Sequence, residues 1–191
     1  SAEAEQTLTM SRAVETLEYS VDGGSWTELG TTIVTFGGDK GNLRLRGKSA
    51  IGTSTLNESS YFILGNNELP TACTGNILTL VDYENYESGT LDTSNVRFRN
   101  LFFGCNSLTS APQLPATVLA DNCYFQMFVY CYNLKEIPER AFHGCSNLKE
   151  LTLPAGVTKI GKRAFFHCSS LDSIGGQIQL TEIGDCAFEG T

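Results

Sequence analysis

One phrase recurs along the second half of this chain. Phe102-Phe-Gly-Cys105-Asn-Ser-Leu108 returns as Phe128-Val-Tyr-Cys131-Tyr-Asn-Leu134, then as Phe142-His-Gly-Cys145-Ser-Asn-Leu148, then as Phe165-Phe-His-Cys168-Ser-Ser-Leu171. Ala187-Phe188-Glu-Gly-Thr191 opens a fifth copy, with Thr191 where Cys stands elsewhere. A fixed spacing of aromatic, thiol and Leu is a packing instruction. Each copy stacks on the one before, and function falls to the surface that the stack creates.

The 191 residues suffice for one large domain or two small ones. A net charge of -8 argues against nucleic acid and anionic lipid, because both need clustered Lys and Arg. No apolar run approaches the ~20 residues of a membrane span, so direct membrane insertion is not expected. Ser1 to Gln6 is small and polar, without a secretory apolar stretch, and is expected to fray. Such a start suits a chain whose export signal or lipid anchor has been removed.

Seven cysteines cannot all pair within the chain. Cys105, Cys131, Cys145 and Cys168 share one place in the phrase. The paired spacing of a zinc knot is missing, so no metal or other cofactor is expected. Stacked coils bring equivalent residues to about 5 Å, which allows disulfides on distance alone. Side chains pointing the same way seldom reach the disulfide dihedral, and free Cys is among the most buried residue types. A column of buried free thiols is the expectation.

Residues 7 to about 70 read as strands and turns. Thr16 to Val21 alternates apolar with polar, Asp22-Gly23-Gly24-Ser25 supplies turn chemistry, and Trp26 to Leu29 returns. Thr32 to Phe36, Asn42 to Arg46 and Ser60 to Leu64 are further strands, with a polar loop from Gly47 to Asn57. These make an antiparallel β-sandwich over residues 1–75. Ile77 to Val81 is expected as a strand opening the repeats of residues 76–191. No linker separates the halves, so the sandwich caps the first coil, whose apolar end would otherwise be exposed.

The key Phe positions are 102, 128, 142, 165 and 188, separated by 26, 14, 23 and 23 residues. All five rings are expected in one column. In the clearest period Leu148 to Pro154 is a strand, Val157 to Gly161 a second, and Arg163 to Cys168 a short helical turn that buries Phe165. Pro112, Pro115, Pro138 and Pro154 end strands and shape turns. The coil between Phe128 and Phe142 is abbreviated, and Gly175-Gly176 weakens the last period. After Thr191 either the natural chain leaves an open edge, which invites pairing between chains, or further repeats follow.

The run from Leu148 to Leu171, Leu-x-x-Leu-x-Leu-Pro-x-x-Val-Thr-x-Ile-Gly-x-x-Ala-Phe-x-x-Cys-x-x-Leu, resembles the BspA-type leucine-rich repeat. The stretch from Leu108 through Tyr124 resembles a longer variant of that repeat. The head, from Leu17 to Trp26 and on through Gly38-Asp39-Lys40 and Leu45-Arg46-Gly47, resembles the sandwich that often precedes such repeats. The resemblance implies a surface protein of the Bacteroides group. Its implied fold is mainly β with short helical turns, an N-terminal antiparallel β-sandwich fused to a right-handed solenoid. It further implies a cell-surface or extracellular location and attachment to a protein of a host or neighbouring cell.

Stacked strands line one face as a parallel sheet, and residues between the buried positions point outward. Lys135, Glu136, Lys149, Glu150, Thr152, Asp172 and Ser173 are therefore the candidate binding residues, against a reading of each as an ordinary solvated side chain. Catalysis has little support. His143 and His167 occupy different places in the phrase, and the repeat register explains Cys145 and Cys168 without a thiol–imidazole pair. Asp82, Glu84, Glu87 and Asp92 form an acidic stretch without EF-hand spacing. Trp26, Tyr19 and Tyr61 raise glycan stacking as a second function class, although alternation places Tyr19 in the core. A structural spacer with no ligand is the third.

Overall fold

The computed structural model describes residues 1–55, 57–88, 91–114, 120, 123–143, 145–146 and 148–191. Leu56, Pro115, Thr117, Gly144 and Asn147, which figured in the loop and repeat patterns, lie outside them. The chain is mainly β, and among the described residues its helical content is two 3-10 turns.

Six strands fill the first part: β1 (Gln6–Met10), β2 (Glu18–Val21), β3 (Thr27–Glu28), β4 (Val34–Phe36), β5 (Leu43–Arg46) and β6 (Phe62–Leu64). They make two antiparallel sheets, ordered β4-β1-β6 and β3-β2-β5. Alternation drives the first: Leu8, Met10, Val34, Phe36, Phe62 and Leu64 are buried, while Thr35 and Ile63 face out. At the β2–β3 turn Asp22 and Gly23 both have positive φ, and the Gly24 amide bonds Val21. That is the primed geometry which suits strand twist.

Ser1 to Gln6 does not fray. Ala2 bridges Thr71, and the Ala72 amide donates to the Ser1 carbonyl at 2.9 Å. Gln6 opens β1 as a buried side chain. Its Nε2 donates to Asn66 O at 2.8 Å and Thr71 Oγ1 at 3.1 Å, and its Oε1 accepts the Thr7 and Asn66 amides. A buried amide needs such satisfaction, and here it fastens the first strand. The stretch from Gly47 to Asn57 is more than a loop. Gly52 pairs with Arg97 in parallel, and Thr53 and Ser54 are buried. Ile77–Leu80 is a 3-10 turn, not a strand. Asn76 caps it through Oδ1 to the Leu78 amide at 2.9 Å, and Ile77, Leu78 and Leu80 all bury, a pattern that alternation cannot satisfy.

The second part is built from short parallel ladders. β7 (Thr71–Ala72) pairs with β8 (Leu108–Ser110). β9 (Glu136–Ile137), β11 (Lys159–Ile160) and β13 (Glu182–Ile183) form one sheet; β10 (Glu150–Thr152) and β12 (Ser173–Gly175) form another. In both, partner residues stand 23 positions apart. Gly161 and Gly184 close successive coils where a Cβ would sit about 2.5 Å from the Glu139 or Lys162 nitrogen of the preceding coil. Only a bare Cα permits that approach.

The stretch from Arg163 to Cys168 is not a helix. Arg163 and His167 have left-handed φ values of 54° and 58°. The Arg163, Phe165 and His167 amides instead bond Asp185, Ala187 and Glu189 of the next copy. Alternate amides serve the neighbour, so the internal bonding of a helix is unavailable.

The rings form two columns where one was expected. Phe62, Phe102 and Phe128 make one, with centroids 5.4 and 5.6 Å apart. Phe98, Tyr124, Phe142, Phe165 and Phe188 make the other. Phe142 packs edge-on to Tyr124 at 5.5 Å, then Phe165 and Phe188 stack face-on at 5.0 and 5.2 Å.

All seven cysteines are free thiols. Cys105, Cys131 and Cys168 donate to the carbonyls of Phe62, Phe102 and Phe142. Each thiol thus ties its copy to an aromatic of an earlier coil. Burial pushes the Cys105 and Cys123 thiols up to about 12 and Cys131 higher still. Cys186 is the exposed thiol. A thiol reagent is expected to count about one group rapidly in the native protein and all seven after unfolding without reductant. A count of one after unfolding would mean that disulfides staple the coils.

Candidate interaction surface

Lys135, Glu136, Lys149, Glu150, Thr152, Asp172 and Ser173 are all exposed. They do not share one sheet. Glu136 lies on β9 and pairs in register with Lys159, which pairs in turn with Glu182. Lys135 belongs to this ladder through its carbonyl, which accepts the Thr158 and Lys159 amides. Glu150, Thr152 and Ser173 lie on the β10–β12 ladder, with Lys149 bonding Asp172 at its start. The expected single face is therefore divided. Strand periodicity shows that a residue points outward, but the corners decide which ladder it joins.

Lys159 and Glu182 were missed. They complete a Glu–Lys–Glu row, closed by a 2.7 Å bridge from Lys159 Nζ to Glu182 Oε2. The Glu182 carboxylate raises the Lys159 ammonium above its ordinary value. Both groups are solvated, and such a pair adds little affinity for a partner.

A second exposed feature is aromatic. Tyr61 lies against Phe103, Phe103 meets Tyr130 edge-on at 5.1 Å, and Tyr130 meets Tyr132 at 6.0 Å. Tyr130 and Tyr132 are each 51% exposed, and Phe125 is 41% exposed under the Arg99 guanidinium. The strip adjoins the charged ladder, because Lys135 Nζ donates to the Tyr132 carbonyl at 3.3 Å. The repeat predicts the buried ring and says little of the residues beside it. Tyr130 and Tyr132 flank Cys131, where the other copies place Gly or His before the Cys and Asn or Ser after it.

His143 and His167, which occupy different places in the phrase, both lie against Phe166. Cys168 spends its thiol on the Phe142 carbonyl. In the acidic stretch Lys48 supplies the cation. Its Nζ donates to Asp82 at 2.7 Å and Glu84 at 2.6 Å, holding both carboxyls below the usual range. Among the described residues no three His, Cys, Asp or Glu side chains converge as a metal site would require.

Tyr19 is half-buried against the core, but Ser20, which alternation turns outward, is the fully buried residue of β2. Trp26 is also half-buried, and Arg46 stacks on it at 4.1 Å while lying 4.2 Å from Tyr83. Glu18 fixes this sandwich by accepting from Arg46 Nε at 2.7 Å. Beside it opens a cleft of about 650 Å³, walled by both antiparallel sheets and floored by Phe102, Cys105 and Leu108.

Residues 115–191 match the family model described as the BspA type leucine rich repeat region, in six copies. The match covers the 23-residue ladders and the Tyr124–Phe188 ring column, and leaves residues 1–114 outside it. No curated protein and no solved structure matches the chain. No helix among the described residues is long and apolar enough to cross a membrane.

Proposed function

We propose that this chain is a cell-surface or secreted adhesin-type binding protein, and not an enzyme. In this reading the repeats stack as a right-handed solenoid, with the two antiparallel sheets forming a sandwich over one end. The partner is a protein of a host or neighbouring cell, and the bearer belongs among surface proteins of the Bacteroides kind. The strip of half-buried Phe103 and exposed Tyr130 and Tyr132 beside Lys135 carries this reading. Tyr and Phe bring large contact area at low entropic cost, whereas solvated Lys and Glu are depleted from interface cores. Lys149, Glu150, Thr152, Asp172 and Ser173 contribute a polar rim. Self-association would use the outer edge of β13, where Ile183 is exposed.

The test is binding to immobilised extracellular matrix proteins. Replacing Tyr130 and Tyr132 together by Ser is expected to weaken binding at least about tenfold, roughly 1.4 kcal/mol. Replacing Lys149, Glu150 and Asp172 by Ala is expected to change it by less than about threefold, as rim charges do. Unchanged binding by the Tyr variant would remove the strip as the contact. A response to glycans with none to proteins would favour sugar stacking on the same rings. Inertness to both would favour the spacer.

A further inference from the structure

The cleft beside Arg46 has no part in the adhesive reading. Its walls are β-strand side chains that alternation aims inward: Leu8 and Leu64 from one sheet, Leu43 and Leu45 from the other. Phe36 and Phe62 extend the apolar lining. The walls are braced independently of the space between them. β1 is paired on both edges, β2 is paired on both edges, and Phe62 packs at a tilt against Phe102. A preformed apolar cleft of about 650 Å³ lies within the size range of small-molecule sites.

Polar groups also line the cleft, Ser1, Thr71, Asn76 and Arg46 among them. Arg46 is pinned between Trp26 and Tyr83, with its Nε committed to Glu18. The N–H groups on its Nη1 and Nη2 meet no acceptor among the described residues. A guanidinium presents five donors, so the pinned side chain still offers a fork to an incoming group. Stacking and the Glu18 bridge hold that fork in place, which lowers the entropic cost of engaging a ligand.

We propose that this cleft binds a long-chain fatty acid, its hydrocarbon tail among the leucines and phenylalanines and its carboxylate on Arg46. The tail satisfies apolar walls that water serves poorly. The carboxylate matches the planar fork. Trp26 is the sole tryptophan of the chain and lines the cleft, so it reports occupancy directly.

Palmitate titrated into the intact chain is expected to change Trp26 emission saturably and to displace a fluorescent long-chain fatty acid one for one. Arg46→Gln is expected to weaken palmitate about tenfold while moving hexadecanol, which has the same chain without the charge, by less than about threefold. Leu45→Phe, which fills the cleft with apolar bulk, is expected to weaken both ligands about tenfold or more while circular dichroism stays native. Absence of saturable palmitate binding to the unaltered chain would overturn the proposal. So would equal losses for palmitate and hexadecanol in Arg46→Gln, or full binding by a natively folded Leu45→Phe. Matrix-protein binding depends on different residues, so the two readings fail separately.

Discussion

Phe165→Ala is expected to destabilise the chain by about 3–5 kcal/mol, measured by urea or thermal unfolding. Phe165 is fully buried and stacks face-on between two rings, Phe142 at 5.0 Å and Phe188 at 5.2 Å. Truncation removes a large apolar side chain and leaves a void that both neighbours border. Its backbone is also fixed, since the Phe165 amide bonds Ala187 and its carbonyl accepts from Cys168. The coil therefore cannot collapse easily into the space, which places the cost in the upper range for buried aromatics. Phe188→Ala is the internal control. Phe188 is half-buried, so its loss is expected to cost roughly half as much by apolar area. A Phe165→Ala effect below about 1 kcal/mol, or one equal to that of Phe188→Ala, would mean that the column does not carry the stack.

The 23-residue period was legible because most of its buried positions repeat with their chemistry intact, Leu153 with Gly176 and Cys168 with Thr191 being departures. Leu151 pairs in register with Ile174, and Ile160 with Ile137 and Ile183. The 14-residue step from Phe128 to Phe142 misled because the aromatics were treated as one series. Two ring places lie four residues apart on each early coil, Phe98 with Phe102 and Tyr124 with Phe128. Phe142 continues the first of these, 18 residues after Tyr124, so the short step belongs to no single column. The helical turn failed for another reason. Left-handed φ at Gln126 and Arg163 cannot be read from residue types that usually avoid it. The stacking neighbour over-determines those values. Of the candidate surface, outward orientation was readable and ladder membership was not. The aromatic strip and the cleft escaped because their residues come from distant segments, such as Tyr61 with Phe103 and Leu8 with Leu108.

Alkaline pH is expected to unfold this protein steeply. Cys105 and Cys123 are buried, and burial pushes each thiol from an ordinary value of 9.0 up to about 12. The unfolded chain sheds these protons near the ordinary value, while the folded chain keeps them. Between about pH 9 and 12 the unfolded state binds fewer protons, so stability falls as pH rises. Below about pH 9 the contribution is fully present. Each thiol gives a slope of about 1.4 kcal/mol per pH unit, and the two together nearly 3. Cys131, also raised by burial, adds to the fall from about pH 9, and Tyr124 adds to it from about pH 10. Over two pH units the loss is about 5 kcal/mol, comparable with the whole stability of a modest domain. The measurement is the urea midpoint between about pH 8 and 11, repeated with Cys105→Ala, which is expected to flatten the slope by about 1.4 kcal/mol per pH unit. A midpoint that holds steady to about pH 11 would mean that these thiols ionise as readily in the folded chain as outside it. The Phe–Cys columns would then be open to water, and the tight stacking on which the outer aromatic strip depends would be lost with them.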